Sequence, residues 1–316
     1  MTGTSQPEML APDGQGIARA AKLLVEGRLV AVPTETVYGL AARADDDMAV
    51  AAIYRAKGRP DFNPLIVHVP DLAAAGRIAD VDDRARLLAE RFWPGALTIV
   101  LPLRDEAGLA KAVTAGLPTV ALRCPAHPVM RALLEECGLP LAAPSANRSG
   151  AVSPTSAAHV RASLGDKVQA IVDGGDCKLG LESTIVALRE NGQWQMLRPG
   201  PVTAGEIATL LGSDAKASLA EPEIEAPGQL ASHYSPGKPV RLDAMTAADG
   251  EFHVGFGPVA GHICLSSAGD LAEAAARLYA VLHEAAASPL PRIAVAPIPA
   301  EGLGLAIRDR LRRAAA

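Results

Sequence analysis

The sequence predicts an α/β protein in which a sheet flanked by helices is followed by a smaller α/β domain. Short runs of Val, Ile and Leu alternate with amphipathic helical stretches over residues 1–211. Several of these apolar runs end in loops of cations, hydroxyls and amides, and the strand ends of α/β sheets are where ligands bind. A stretch rich in Pro, Gly and Ser then precedes a last group of strands and helices.

The chain length and composition favour two domains. The 316 residues exceed the usual size of one domain, and we place a first domain at 1–211, a linker at 212–239 and a smaller domain at 240–316. The net charge is −5 and aromatic residues make up only 3% of the chain. These values argue against a generally basic, base-stacking RNA-binding protein, although they are compatible with a local basic cleft.

The cysteine pattern and the length of the apolar segments indicate the cellular compartment in which the protein works. Cys124, Cys137, Cys177 and Cys264 are scattered and form no CxxC pair, which is typical of reduced thiols and not of a zinc knuckle or disulfide scaffold. The N-terminus lacks a signal pattern, and no apolar run reaches membrane-spanning length. We therefore expect a cytoplasmic protein without membrane contact.

The elements follow from caps, breakers and periodicity. After a loose tail over 1–12, Asp13 caps a helix that runs to about Glu26 and stops at Gly27. Further helices are predicted at 45–56, 71–78, 82–92, 127–137, after 152–156 with a proline just inside the start, 203–211, 271–286 and 303–313. Strands are predicted at 29–32, 65–69, within 93–101, 120–123, 141–143, 170–173, 184–188, 194–197, 252–255, 263–265 and 293–296. Thr203 and Glu206 have the spacing of a capping box.

One loop combines two cations with an amide. Lys57, Arg59 and Asn63 precede the strand at 65–69, and the loop's Gly and Pro residues make a helix through it improbable. Cations held by a rigid loop at a strand end suit an anionic ligand. Taken alone, however, the loop is more typical of a solvated surface with ordinary charges.

Other loops repeat this arrangement. Thr34, Glu35 and Thr36 follow the strand at 29–32, where the alternative is a tight turn capped by hydroxyls. The loop 144–150 places hydroxyls and amides after a strand, close to a helix start that can bind phosphate. The glycine-rich loop 174–184 has neither the Walker order nor GxGxxG.

Together, the strand ends provide a set rich in cations and hydroxyls. Its members are Thr34, Lys57, Arg59, Asn63, His68, Thr119, Arg123, Ser145, Asn147, Ser153, Ser183 and Arg198. The set has no Ser/His/Asp order, paired hydrolase carboxylates or clustered metal ligands. It indicates a polyanion such as a nucleoside triphosphate, with catalysis by positioning and charge stabilisation and without a protein nucleophile. His233 and Tyr234 lie in the linker, which either folds over this site or is a polar spacer.

The ordered runs PTETVYGL, KGRPDFNPLIVHV, FWPGALTIVL, APSANRSG, ESTIV and LRPG resemble the threonylcarbamoyl-AMP synthase family. The later SHYSPGKP and APIPAEGLGLAIRDRLRRA resemble its long, two-domain form, and 240–290 is the least distinctive stretch. The resemblance implies a YrdC-like twisted mixed sheet flanked by helices, with a smaller C-terminal Rossmann-like α/β domain.

The resemblance also implies an activity, that of an L-threonylcarbamoyladenylate synthase. Such an enzyme makes L-threonylcarbamoyl-AMP from L-threonine, bicarbonate or CO2 and ATP, and releases pyrophosphate. The adenylate is then used by a tRNA-modifying transferase complex on the adenosine next to the anticodon. Mg²⁺ is expected to be held by the ATP phosphates, and a direct contact with tRNA is compatible with the family.

The resemblance assigns roles to individual residues. Those expected at ATP are Lys57, Arg59, Asn63, Thr119, Ser145, Ser153, Arg198, His233 and Tyr234. Those expected at threonine are Thr34, His68, Arg123, Ser183 and the backbone near Ala143, with Arg123 suited to the carboxylate. Without the resemblance, His68 is better explained as a packed core histidine.

Two other functions are compatible with parts of this pattern. The first is a tRNA or double-stranded-RNA binding module without turnover, which the acidic composition disfavours. The second is a carbamoyl-transfer enzyme of hydrogenase maturation. Such proteins add an acylphosphatase part and Cys-rich zinc fingers, which four scattered cysteines cannot build.

Overall fold

The computed structural model describes residues 6–189, 191–212, 225–229 and 232–316. The strands of the first domain are β1 (Glu8–Leu10), β2 (Val30–Val32), β3 (Gly39–Arg43), β4 (Ile66–His68), β5 (Leu97–Pro102), β6 (Thr119–Arg123), β7 (Leu141–Ala142), β8 (Ala170–Val172), β9 (Thr184–Leu188) and β10 (Trp194–Arg198). Its helices are α1 (Gly14–Val25), α2 (Asp47–Lys57), α3 (Leu72–Ile78), α4 (Asp83–Phe92), α5 (Lys111–Thr114), α6 (Pro128–Cys137), α7 (Ala157–Leu164) and α8 (Ala204–Leu211).

These strands form one ten-stranded mixed sheet in the order β1-β8-β2-β3-β7-β4-β6-β5-β9-β10. The predicted mixed α/β sheet with flanking helices is therefore confirmed. In the middle of the sheet β4 pairs parallel with β6, and His68 lies opposite Arg123 in the register. Both residues end their strands, so the register brings a histidine and an arginine together at one edge of the sheet.

The sheet is buried on both faces. In β2, Val30 and Val32 pack into a cluster with α1 and α6, whereas Ala31 between them joins the larger core on the opposite face. This arrangement explains why the strands are almost continuously apolar, since neither face can carry polar side chains toward water.

The local signals that start and end helices are largely satisfied. Asp13 caps α1 by accepting from the Gly16 N–H, and the capping box of Thr203 and Glu206 is formed at α8. Helix α2 ends at Gly58, whose φ of 60° is left-handed. That glycine makes Lys57 the last helical residue and turns the chain directly into the loop of Arg59.

Several predictions about elements were wrong. The part of the predicted tail that the structure describes contains β1, which pairs with β8, and the remainder of the tail, 1–5, lies outside the described residues. Strand β3 was missed because its Gly and Ala residues carry little β propensity, yet it pairs with β2 and β7. Pro154 is not inside α7, because Ser156 is the N-cap of that helix.

The second domain is a small parallel α/β unit. Its strands are β11 (Val240–Arg241), β12 (Glu251–Gly255), β13 (Ile263–Cys264) and β14 (Arg292–Val295), and its helices are α9 (Leu271–Ala287) and α10 (Leu303–Ala315). The strands pair in the order β11-β14-β12-β13, all in parallel, as expected for a Rossmann-like unit. Helix α8 ends at Leu211 and β11 begins at Val240, on either side of the predicted linker, of which 213–224 and 230–231 lie outside the described residues.

The two domains share a core. Val37, Val152 and Leu181 of the first domain pack in one cluster with side chains of α9 and α10. A Cβ on Gly180 would come within 2.4–2.5 Å of backbone oxygens of α9, so the loop backbone lies directly on that helix. The His159 and His283 rings stack across the same interface, with centroids 4.0 Å apart. None of the helices within the described ranges has the length and apolar character needed to cross a bilayer.

The stacked histidines should make stability depend on pH. Burial lowers the pKa of His159 to about 4 and also lowers the pKa of His283, whereas a histidine in the unfolded chain has a pKa of about 6.5. Between about pH 6.5 and pH 4 the unfolded chain therefore binds protons that the folded chain does not. The stability present at pH 7.5 should fall as the pH is lowered through this window.

We expect His159→Gln to reduce that pH dependence by about 1 kcal/mol or less, because the ring is only partly buried. Urea unfolding at pH 7.5 and pH 5.0 measures the difference. His262→Gln serves as the control, because it changes an exposed histidine whose ring stacks on Phe252 of its own domain. An identical pH dependence in wild type and His159→Gln would contradict the assignment.

Candidate functional site

A cavity lies beside the ends of the central strands. Nine of the predicted site residues line it: Thr34, Arg59, His68, Arg123, Ala143, Ser145, Arg198, His233 and Tyr234. The last two belong to the linker, as do Pro227 and Gly228 in the same wall. Of the two alternatives left open for the linker, folding over the site is therefore the one that the structure supports.

Five predicted residues do not line the cavity: Lys57, Asn63, Thr119, Ser153 and Ser183. Four of them form hydrogen bonds with residues that line the cavity. Thr119 does not, because it lies at the start of β6, opposite the end that carries Arg123, and pairs with Pro102. The geometry gives no support for its contact with a nucleotide, which stays a prediction.

The three predicted residues at the end of α2 and in the loop after it are not on a solvated surface. Lys57, Arg59 and Asn63 are only 3%, 8% and 1% exposed. The Lys57 ammonium donates to the backbone oxygens of Ser145 and Asn147. Burial, and then the nearby Arg59, lower the pKa of Lys57 well below its usual value. An anionic ligand would reverse that shift, because it offsets the cost of burying the charge.

Asn63 serves to hold Arg59. The Arg59 Nη2 donates to Asn63 Oδ1 at 2.6 Å and to the Pro64 oxygen at 2.7 Å, and its Nε donates to the Asn63 oxygen. Burial lowers the pKa of Arg59 to about 10, so it stays charged at neutral pH. The guanidinium is thus fixed in the cavity wall by the loop that carries it.

Arg123 is anchored before any ligand arrives. Its Nη2 donates to the Glu35 carboxylate, its Nη1 to the Thr36 hydroxyl at 3.0 Å, and its Nε to the Gly95 oxygen at 3.1 Å. Burial raises the pKa of Glu35, but the adjacent Arg123 outweighs it and the net shift is downward. A guanidinium has five N–H donors, so a ligand carboxylate would use those that remain.

The hydroxyl of Thr34 caps a turn, as the alternative interpretation proposed. It donates to the Val37 oxygen at 2.7 Å and accepts from the N–H groups of Thr36 and Val37. The same threonine lines the cavity. The turn therefore fixes the wall, and any ligand contact of this hydroxyl is shared with the turn.

His68 is buried and neutral. Burial lowers its pKa to about 3, with a smaller contribution from Arg123. Its Nδ1 has no hydrogen-bond partner within the described residues, although the ring lines the cavity. A satisfied core histidine would not leave this atom unpaired, so the geometry favours a ligand contact.

Ser183 and Arg198 form one unit. Arg198 Nη2 donates to Ser183 Oγ at 3.1 Å, its Nε donates to the Ser183 oxygen at 3.0 Å, and its Nη1 donates to the Pro227 oxygen at 3.2 Å. One arginine thereby fixes the start of β9 and part of the linker around the same cavity.

Glu182 is a cavity residue that sequence reasoning missed. Its carboxylate accepts from Ser153 Oγ at 2.6 Å, from Tyr279 Oη at 2.8 Å and from Arg310 Nε at 2.9 Å. Burial raises the pKa of Glu182, but Arg310 and then Arg198 outweigh it and hold the pKa at about 2. The available signal was its position in the run ESTIV, immediately before Ser183.

Known proteins match this chain over nearly its whole length. A family model named for Sua5, YciO and YrdC and described as "Telomere recombination" matches residues 22–200, and one described as "Threonylcarbamoyl-AMP synthase, C-terminal domain" matches 202–316. The threonylcarbamoyl-AMP synthase of Bacillus subtilis is 40% identical over 97% of this chain and 94% of its own length. The chain belongs to the threonylcarbamoyl-AMP synthase family.

Other members agree with this assignment. The threonylcarbamoyl-AMP synthase of Pyrococcus abyssi is 39% identical over 93% of this chain and 92% of its own length. The crystal structure of P. abyssi Sua5 complexed with L-threonine superposes with a TM-score of 0.88 at 35% identity, covering 98% of each chain. The predicted two-domain form of the threonylcarbamoyl-AMP synthase family and its YrdC-like fold are therefore confirmed.

The ion pair of Glu35 and Arg123 should be essential for stability. We expect Glu35→Ala to lower the free energy of unfolding by about 3–5 kcal/mol, because it leaves a buried guanidinium without its carboxylate. Urea unfolding measures the loss. Glu106→Ala removes an exposed carboxylate and should change stability by no more than about 0.5 kcal/mol. Equal effects of the two substitutions would show that the buried pair contributes little.

Proposed function

We propose that this member of the family joins L-threonine, bicarbonate and ATP into L-threonylcarbamoyl-AMP, with release of pyrophosphate and water. The observation that carries the proposal is the gathering of Arg59, Arg123 and Arg198 around one cavity, with the Lys57 ammonium behind its wall. Such a concentration of buried cations is costly without a polyanion to balance it.

In this proposal the nucleotide occupies the side formed by the loop after α2, the loop after β7 and the linker. Lys57 and Arg59 would face the phosphates, with Asn63 holding Arg59 in place. Ser145, Ser153, Arg198, His233 and Tyr234 would complete the nucleotide site. The Tyr234 hydroxyl and His233 Nδ1 are buried without a partner within the described residues, which supports a contact with a bound ligand.

Threonine would occupy the side formed by the ends of β4 and β6. The P. abyssi relative was crystallised with L-threonine, and here Arg123 would bind the substrate carboxylate while His68, Ser183 and the backbone near Ala143 surround its other groups. Thr34 would shape the wall through its turn. A neutral His68 suits this place, because it can accept a hydrogen bond without adding charge.

The reaction needs positioning more than a protein nucleophile. Bicarbonate takes up a proton and loses water to give CO2. The threonine amine then captures the CO2 to give a carbamate and releases a proton. A carbamate oxygen then attacks the α-phosphate, and the bond to pyrophosphate breaks. Fixed cations around the phosphates stabilise the charge that moves onto the leaving group.

We expect Mg²⁺ to enter as part of the MgATP substrate. Glu182 lines the cavity and Glu35 lies beside it, but both carboxylates already accept from protein donors. No group of three potential metal ligands occurs among the residues that the structure describes. The ATP phosphates would therefore hold the metal.

The product is an activated adenylate, which a second enzyme must use as its substrate. We propose that a tRNA-modifying transferase complex uses the adenylate, with or without direct contact between tRNA and this chain. The four cysteines are all free thiols, which is compatible with work in the reducing cytoplasm.

Omission of single substrates tests the activity. Purified protein should release pyrophosphate only when ATP, L-threonine and bicarbonate are all present with Mg²⁺. Release that is unaffected by omitting threonine would indicate a plain ATP pyrophosphatase. RNA binding without any turnover would favour the binding-module alternative.

Substitution of two cavity arginines should affect the KM values of the two substrates differently. Arg59→Ala should raise the KM for ATP by about tenfold or more, because a charge-assisted phosphate contact is lost. Arg123→Ala should instead raise mainly the KM for threonine. Arg55→Ala, an exposed arginine of the same helix as Lys57, is the control and should leave both values unchanged. If Arg59→Ala and Arg123→Ala raised the KM of the same substrate, the assignment of ATP and threonine to different sides of the cavity would be refuted.

A further inference from the structure

The C-terminal domain contacts residues of the cavity wall through two side chains. Arg310 of α10 and Tyr279 of α9 both bond the Glu182 carboxylate of the first domain, and both are 0% exposed. The other oxygen of Glu182 accepts from Ser153, which is also fully buried. The carboxylate therefore links the second domain to a serine that we place in the nucleotide site.

The same two side chains support the linker. The Arg310 guanidinium lies 5.4 Å from the centroid of the Tyr234 ring, and the Tyr279 ring stacks on Tyr234 with centroids 5.6 Å apart. Tyr234 has a left-handed φ of 64°, which a bulky residue rarely adopts without surrounding support. Arg310 and Tyr279 thus hold two parts of the cavity wall, Glu182 and Tyr234.

The charge of Glu182 makes this support necessary. It is the carboxylate among the described residues that line the cavity, where the other charged side chains are arginines. An unneutralised carboxylate there would repel phosphates. Arg310 bonds it directly, whereas the Arg198 guanidinium donates to Ser183 and Pro227 instead.

We propose that Arg310 is a positioning residue for the nucleotide. It neutralises Glu182, so that Glu182 can hold Ser153 without opposing the phosphates, and it supports Tyr234 in the wall. This inference rests on the proposed function and gives the C-terminal domain a role in that reaction. Arg310 itself does not line the cavity, so it acts through these neighbours.

The test compares Arg310→Met in the full chain with two controls. Arg310→Met should raise the KM for ATP by about tenfold or more, with little change in the KM for threonine at saturating ATP. Arg310→Lys keeps the charge and should restore part of the loss. Arg312→Met changes an exposed arginine of the same helix, and Leu278→Ala weakens the interdomain core without altering charge. Neither control should shift the KM for ATP.

A second substitution separates neutralisation from general damage. If Arg310 acts by neutralising Glu182, then Arg310→Met combined with Glu182→Gln should bind ATP better than Arg310→Met alone, because both charges are gone. A double variant that is worse than either single variant would overturn the proposal. So would an ATP KM that changes equally in Arg310→Met and Leu278→Ala.

Direct binding distinguishes this proposal from the proposed function. Titration calorimetry with the non-hydrolysable analogue α,β-methylene-ATP and Mg²⁺ measures affinity without turnover. Weaker binding by Arg310→Met than by wild type supports the positioning role, even if omission experiments disprove the threonine-dependent synthesis. Unchanged analogue affinity alongside normal wild-type turnover would overturn only the role of Arg310.

Discussion

Two buried ion pairs, Glu35 with Arg123 and Glu182 with Arg310, are the interactions on which the rest of the structure depends. The first fixes an arginine at the end of β6, and the second ties α10 to the loop before β9. Each pair is almost fully removed from water, so losing one partner leaves a charge without compensation. The main contribution of the two ion pairs is positional, because they hold cations and a carboxylate at fixed points around one cavity.

The cavity concentrates more positive charge than the protein neutralises. Burial lowers the pKa of both Lys57 and Arg59, and a neighbouring cation lowers each further, Arg59 for Lys57 and Arg198 for Arg59. Backbone oxygens of Ser145 and Asn147 stabilise part of this charge. A bound polyanion would stabilise the remainder, so a protein with a net negative charge can still present a local site for an anionic ligand.

Local sequence signals predicted most elements because helix caps, glycine stops and β-branched runs act over a few residues. They failed for β3, whose small residues form a strand only because β2 and β7 flank it, and for β1, which depends on pairing with a strand far along the chain. Nine of the fourteen predicted site residues line the cavity, and Glu182 was overlooked. A carboxylate is not expected in an anion site, and the sequence does not show which cations neutralise it.

The sequence by itself determined the α/β class, the family and the loops that carry cations and hydroxyls. It did so because strand patterns, turn residues and ordered motifs are local properties of the chain. Only the tertiary structure decided that the linker closes the cavity, that Thr34 serves a turn, and that Arg310 reaches Glu182 from a position 128 residues away. Such contacts depend on how the two domains pack, and no short-range pattern specifies the distance between side chains so far apart in sequence.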